Sequence, residues 1–393
     1  MVVTRSQSRK RKAEALPSGE PFAAAAAAAA SAAPVRRRSS VQKSKRKRRA
    51  GSGDRKTTPS RPGARLSGRG NGRADELMVN VFPDEKDQRQ WSGPFVFAQL
   101  ADTQLGCRTF DGSLKDELEV VDKGVSLLNA LDPAFVIVCG DMVNAYPTQA
   151  KKQDEQIAAF RKAMGKLRKK IPLVCVCGNH DIGNKPDPGT IARYNKKFGK
   201  DHFTFWARGV KCIVMNSSLY KDGSMAKNHA RRHNDWLMRE LKSPSTKSAR
   251  HTVVFAHIPP FIFSPDEHDG YFNWSQEVRR PVLRAMKKAG IRKMFCGHYH
   301  RNAGGMDGPL EVVITSALGC RLRALEDPLS LPVEFDEPIL GTDVSGFRVV
   351  RVGDDTIQHK WFVLDKMPGC ISADADIWKT SEGKETEQPA KTS

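Results

Sequence analysis

No run of apolar residues in this 393-residue chain approaches the roughly 20 needed to cross a bilayer as a helix, so no membrane span is expected. The alanine run at 23–30 follows a charged stretch and is less hydrophobic than the leucine-rich core of a secretory signal, which argues against export. Cysteine at zinc-finger spacing is also missing: the tightest pair, Cys175 and Cys177, is C-x-C. Several of the eight cysteines sit inside apolar runs, such as Cys139 in FVIVCGD and Cys296 in KMFCGH, where a thiol acts as a small buried hydrophobe. No disulfide framework is therefore expected, and a reducing compartment, nuclear or cytoplasmic, is.

Acid is scarce in one place only. Residues 1–73 hold 20 of the 65 Lys and Arg but 3 of the 44 Asp and Glu, which concentrates +17 of the formal +21 there and leaves +4 for the other 320 residues. The same stretch has few aliphatics larger than alanine and almost no aromatics, so it cannot bury enough apolar surface to offset its ordering entropy. Its clusters RKRK (9–12) and KSKRKRR (43–49) read either as nuclear-localisation or nucleic-acid patches or as a plain solvated tail. The chain thus divides into a disordered basic tail at 1–78, a folded domain at 79–366 and a disordered C-terminal tail at 367–393. Nucleic acid is an expected partner through the first tail only, because the domain is close to neutral.

From about residue 80 short apolar runs alternate with amphipathic segments, which indicates an α/β domain. Runs at 95–100, 135–139, 171–177, 210–216, 252–257, 293–296 and 312–315 predict buried strands. The spacing of Leu118, Val121, Val125 and Leu128 predicts a helix over 113–131 capped by Ser113. Further helices are predicted at 157–170, 228–241 and 276–289, and a closing hairpin at 347–352 and 358–364.

Polar residues suited to chemistry fall just past five of these strands, in LADTQLG (100–106), CGDMVNA (139–145), CGNHDIGN (177–184), FAHIPPF (255–261) and CGHYHRN (296–302). Loops from separate segments converge at the carboxyl ends of strands in open α/β sheets. One Asp there is usually a helix cap and one His usually a structural residue. Five such loops carrying Asp, Asn, Gln and His are a set of hard-to-borderline donors for Mn, Fe, Zn or Mg rather than a thiolate site.

The order D-x-Q, GD, GNHD, H and GHxH resembles the calcineurin-like metallophosphoesterases, over 95–364 of this chain. That resemblance implies a four-layer α/β/β/α sandwich, with two mixed sheets flanked by helices. It also implies two divalent metal ions. Asp102, Gln104 and His300 would hold the first, Asp141 would bridge, and Asn179, His257 and His298 would complete the second. His180 would be the catalytic imidazole that takes no metal, with Asp181 available to orient it. The family's commonest pattern has His at the position of Gln104, so the first cation should be held more weakly and exchange more easily. Arg301 is either a phosphate contact or a surface arginine.

WSGPFVFAQLADTQLG, GNHDIGN, HIPPF, YFNWS and GHYHRNAGG look like runs from a serine/threonine phosphatase branch of that family. A phosphoprotein or small phosphoester is accordingly the expected substrate, and a monomer the expected state. An acidic rim at 325–341 and an aromatic wall at 261–274, with Tyr271, Phe272 and Trp274 as packing residues or substrate contacts, fit that expectation. Two further readings stay open: a phosphodiesterase acting on nucleotides or nucleic acid, and a scaffold without activity.

Overall fold

The computed structural model describes residues 79–80, 82, 85–108, 113–320, 344–368 and 371–379. The basic tail and the acidic 325–341 segment of the sequence reading lie outside the described residues. Strands run in the order β1 (Phe95–Leu100), β2 (Val136–Cys139), β3 (Leu173–Val176), β4 (Phe203–Ala207), β5 (Val210–Val214), β6 (His251–Phe255), β7 (Lys293–Cys296), β8 (Ala303–Asp307), β9 (Leu310–Ile314), β10 (Gly346–Val352) and β11 (Ile357–Val363). They form two sheets, ordered β11-β10-β1-β2-β3 and β4-β5-β6-β7-β9-β8. Both are mixed. β1, β2 and β3 are parallel with the β10–β11 hairpin antiparallel at one edge, and β5, β6, β7 and β9 are parallel between antiparallel β4 and β8.

Period-two alternation explains how one strand serves two cores. In β1, Phe95 and Phe97 face the second sheet, while Val96, Ala98 and Leu100 face the helices Lys115–Leu131 and Ala150–Met164. The second sheet does the same, sending Val253 and Phe255 inward and Val254 outward onto Lys227–Lys242 and Gln276–Lys288. Strands buried on both faces therefore read as unbroken apolar runs. Three apolar clusters, helix on sheet, sheet on sheet and sheet on helix, make the expected four layers. Phe97 fills the middle one, stacked on Phe135 at 4.6 Å and edge-on to Phe255 and Phe295 at 5.8 Å each.

Several boundaries shift. The first helix starts at Lys115, two residues past the predicted cap, with Leu114 in the cap position and the Ser113 hydroxyl accepting from the Lys115 amide at 3.3 Å. The helix expected at 157–170 runs from Ala150 to Met164, because Gly165 ends it. β4 and β8 went unpredicted: FTFWA and AGGMD lack the aliphatic run that marked the others. Among the described residues, packing continues past 366, with Ile371 and Trp378 buried in the outer cluster of the first sheet. A lone Trp in a polar stretch is easily read as tail.

A polar seam joins the sheets beside this apolar middle. Gln99 of β1 donates to Cys296 O at 3.0 Å and accepts from Thr315 at 2.6 Å. Buried Arg348 of β10 donates to Thr315 Oγ1 (2.8 Å) and meets His359 Nδ1 (2.8 Å), and His359 Nε2 meets Glu311 Oε1 of the other sheet at 3.0 Å. Burial alone would raise the Glu311 carboxyl, but His359 and Lys293 outweigh it and bring it from 4.5 to about 2. Below 4.5 the unfolded chain takes up the proton first. The stabilisation by this group is thus full above 4.5 and is lost as pH falls toward about 2. Glu311→Gln should therefore flatten the acid limb: the difference in urea midpoint between pH 6 and pH 3 becomes smaller than in the parent. An unchanged difference would show that Glu311 does not couple the sheets to pH.

Candidate metal centre

All five predicted loops leave the carboxyl ends of parallel strands on one rim, and the two sheets bring their rims together. The backbone bonds continue past the strands. Asp102 N donates to Gly140 O and Gln104 N to Asp141 O, while Leu318 N and Gly319 N, beyond β9, donate to Ala101 O and Asp102 O. To aim side chains into so small a volume the backbone takes a left-handed turn at five of the seven expected ligand positions. Asp102, Gln104, Asp141, His298 and His300 all have positive φ, between 38° and 69°. Such angles are uncommon outside glycine and cluster at functional sites.

Glycines make the close approach possible. A Cβ on Gly178 would lie 2.1 Å from Asp141 Oδ1, and one on Gly140 would lie 2.3 Å from His257 Nδ1.

Two groups of three side chains have donor atoms within 4.8 Å of one another: Asp102, Asp141 and His300, and Asp141, His257 and His298. Asp141 belongs to both. Around His257 Nε2 converge Asn179 Oδ1 at 3.0 Å and Asp141 Oδ2 at 3.2 Å, and His300 Nε2 lies 3.3 Å from Asp102 Oδ1. The far nitrogens are held by backbone: His257 Nδ1 donates to Cys139 O at 2.8 Å and His300 Nδ1 to Cys320 O at 2.6 Å, which leaves each Nε2 for the site. His298 Nε2 is buried without a hydrogen-bond partner. Oxygen acceptors crowded around imidazole nitrogens, one of them orphaned, call for positive charge between them. The electrostatics agree. Burial works against the imidazolium of His257, yet Asp141 and Asp102 overcome it and push the group up to about 9. Burial raises the Asp141 carboxyl, and His257 and His180 more than reverse it. The donor set fits a pair of divalent cations.

His180 lies beside this set, not in it. Its Nδ1–H donates to Asn144 O at 2.5 Å, and its Nε2 accepts from Gln104 Nε2 at 3.0 Å. The amide of Gln104 is oriented by a chain of bonds: Asn144 Nδ2 donates to Gly106 O at 3.1 Å, so Asn144 Oδ1 faces Gln104 Nε2, at 3.3 Å. Gln104 Oε1 is thereby turned away from His180. Tyr146 stacks on the imidazole with centroids 4.2 Å apart, its hydroxyl 3.3 Å from Nε2. Burial and Asp141 push that phenol up to about 12.

Asp181 is a correction. Its carboxylate accepts from the backbone amides of Gly178 (2.7 Å), Asp141 (2.9 Å) and Met142 (3.2 Å), so it holds the loops together and does not orient the His180 ring. Asn144 does that. Asn144 and Tyr146 were missed, although both stand within five residues of Asp141 in one loop. Tyr271 and Phe272 do wall the site, with centroids 5.1 and 5.5 Å from His298, whereas Trp274 packs on Tyr220. Arg301 is buried, its guanidinium 4.8 Å over the Tyr299 ring and donating to Tyr299 O. Its burial sets the surface reading aside.

A model of the calcineurin-like phosphoesterase family matches residues 95–302, just over half of the sequence. The chain belongs to the calcineurin-like phosphoesterase family. It is similar to the serine/threonine-protein phosphatase CPPED1 of Danio rerio, with 37% identity over 294 residues covering 72% of this chain and 89% of that one. The Homo sapiens protein of the same name is 34% identical over 307 residues, covering 75% and 91%. Among solved structures, the yellow lupin purple acid phosphatase PPD1 superposes with a TM-score of 0.51 at 12% identity over 70% of this chain and 52% of that one. GAP50, the anchor in the inner membrane complex of Plasmodium, gives 0.50 at 14% identity over 72% and 88%. These two share the fold. As a calcineurin-like phosphoesterase the chain is a metal-dependent phosphoester hydrolase that works with two divalent cations.

The Gly178 contact gives a direct test. Gly178→Ala should stay folded by circular dichroism, yet bind Mn²⁺ at least about tenfold more weakly by calorimetry on metal-stripped protein, as for other disturbed supporting residues. Unchanged affinity would mean that the Asp141 carboxylate is not where the cation sits.

Proposed function

We propose that this enzyme removes phosphate from phosphoserine or phosphothreonine in proteins, using Asp102, Gln104 and His300 for one cation, Asn179, His257 and His298 for the other, and Asp141 between them. The observation that carries the assignment is the sharing of Asp141 by two three-residue donor groups. The choice of substrate rests on relatives at 34–37% identity, of whose lengths the chain covers about nine-tenths, that are serine/threonine-protein phosphatases. The basic clusters at 9–12 and 43–49 support a nuclear address for it.

Two divalent cations held by these residues would supply charge neutralisation at the phosphoryl oxygens and would acidify water near neutral pH. The chain's own part is to fix geometry. The backbone carbonyls on His257 and His300 set both tautomers, and the three amides on Asp181 hold the Asp141 and Asn179 loops at one separation. His180 handles the proton. With Nδ1–H on Asn144 O, only Nε2 can exchange a proton, and to serve a leaving serine or threonine oxygen it gives up the bond it now accepts from Gln104 Nε2. Burial disfavours that charged form and Asp141 favours it, the balance falling below the usual histidine value. Such an imidazolium is a strong acid toward a departing alkoxide. Tyr271, Phe272 and Tyr146 exclude water on the same side.

The test is hydrolysis of a phosphoserine peptide, para-nitrophenyl phosphate and its bis-ester by metal-stripped protein titrated with Mn²⁺. Monoester and peptide cleavage should require the metal and vanish in Asp141→Asn. In His180→Ala it should fall by roughly 10²–10⁴-fold while Mn²⁺ binding survives. Faster cleavage of the bis-ester would replace the phosphatase with a phosphodiesterase, and full activity in Asp141→Asn would sink the site assignment.

A further inference from the structure

Cys107 and Cys320 are 213 positions apart in sequence, yet their sulfurs lie 2.6 Å from one another. Both carriers are fixed. The amides of Gly106 and Arg108 donate to Glu117 Oε1 at 3.1 and 2.7 Å, which sets the turn bearing Cys107. Arg108 Nε donates to Gly319 O at 2.6 Å, and the amides of Leu318 and Gly319 bond to Ala101 O and Asp102 O, which sets the segment bearing Cys320. The two sulfurs differ in access: Cys320 is buried and Cys107 is partly open to solvent. The other five described cysteines, Cys139, Cys175, Cys177, Cys212 and Cys296, are all buried in or beside strands. An oxidant therefore reaches Cys107 first and finds a second thiol already in contact.

We propose that Cys107 and Cys320 form a reversible disulfide, a modification site that responds to peroxide. One peroxide oxygen passes to the Cys107 sulfur, giving a sulfenic acid and a first water. The Cys320 sulfur attacks that sulfur, the S–S bond forms, and the hydroxyl leaves as a second water. Two thiols and one hydrogen peroxide thus give one disulfide and two waters, with two electrons passing from sulfur to peroxide. A dithiol reductant reverses the reaction by exchange. Catalytic use of either thiol is not involved.

The bond has a place to act. Cys320 O is the acceptor that orients His300, and Cys320 Sγ lies 4.0 Å from Gln104 Oε1. Gln104 itself stands three residues before Cys107. The disulfide ties together the two flanks of the position that Gln104 and His300 occupy. Its bearing on the cation rests on the assignment proposed above; its formation does not.

The experiment titrates reduced full-length protein with hydrogen peroxide, blocks remaining thiols with iodoacetamide, and maps unreduced peptides by mass spectrometry. A cross-linked pair carrying Cys107 and Cys320 should dominate, disappear with dithiothreitol, and be absent from Cys107→Ser, which keeps the Mn²⁺-dependent activity of the reduced parent. The cross-linked parent should also melt at a higher temperature than its reduced form, because the bond closes a long loop of the unfolded chain. Cys107 found as sulfinic acid beside an alkylated Cys320, or cross-linked mainly to another cysteine, would overturn the proposal. So would two alkylated thiols after peroxide has oxidised methionines elsewhere in the chain.

Discussion

Three carboxylates, Asp102, Asp141 and Asp181, are buried together where the two sheets meet. Unpaired, each would cost several kcal/mol to desolvate, and their mutual repulsion would add to it. Much of the surrounding structure can be understood as what makes this burial tolerable. Asp181 takes three backbone amides, Asp102 takes the His298 amide and lies against His300, and Asp141 takes the His180 amide and faces His257. The positive charge that completes the balance is the one the family's chemistry requires. Function and tolerance of the buried charge are the same requirement here.

Meeting it strains the backbone locally. Of the eight described non-glycine residues with positive φ, five are the aspartates, glutamine and histidines of the rim. That strain is sustained by packing elsewhere: aromatic rings such as Phe97, Phe135, Phe255 and Phe295 fix the distance between sheets, and the Gln99–Thr315–Arg348 seam fixes their offset. A shift of one sheet against the other would move His257 and His298 relative to Asp102 and Asp141 at once. The rigid core is thus what positions the site.

The exchange of His for Gln at position 104 takes on a different meaning in three dimensions. Read along the chain, Gln104 is only a poorer donor. In the fold its amide has two ends with separate partners, Nε2 toward His180 and Asn144 and Oε1 on the opposite side. Gln104 is therefore held to the His180 imidazole both directly and through Asn144, which grips both. An imidazole at this position would have to divide its two nitrogens between the same demands.

Strand positions were legible because β1, β2, β3, β5, β6 and β7 are covered on both faces and must be apolar throughout, and the donor residues were legible because each ends such a run. β4 and β8, partly exposed and without an aliphatic run in FTFWA and AGGMD, left no comparable mark. The roles of Asp181 and Asn144 were not legible, nor was the meeting of Cys107 with Cys320, because each depends on which loops lie opposite. Composition and periodicity act within about ten residues, and they determined the layers, the helices that cover them and the list of donors. Which donors share a cation position, which carbonyl turns each imidazole, and which sulfurs touch are set by contacts between segments tens to hundreds of residues apart, and only the packing of one sheet on the other decides those.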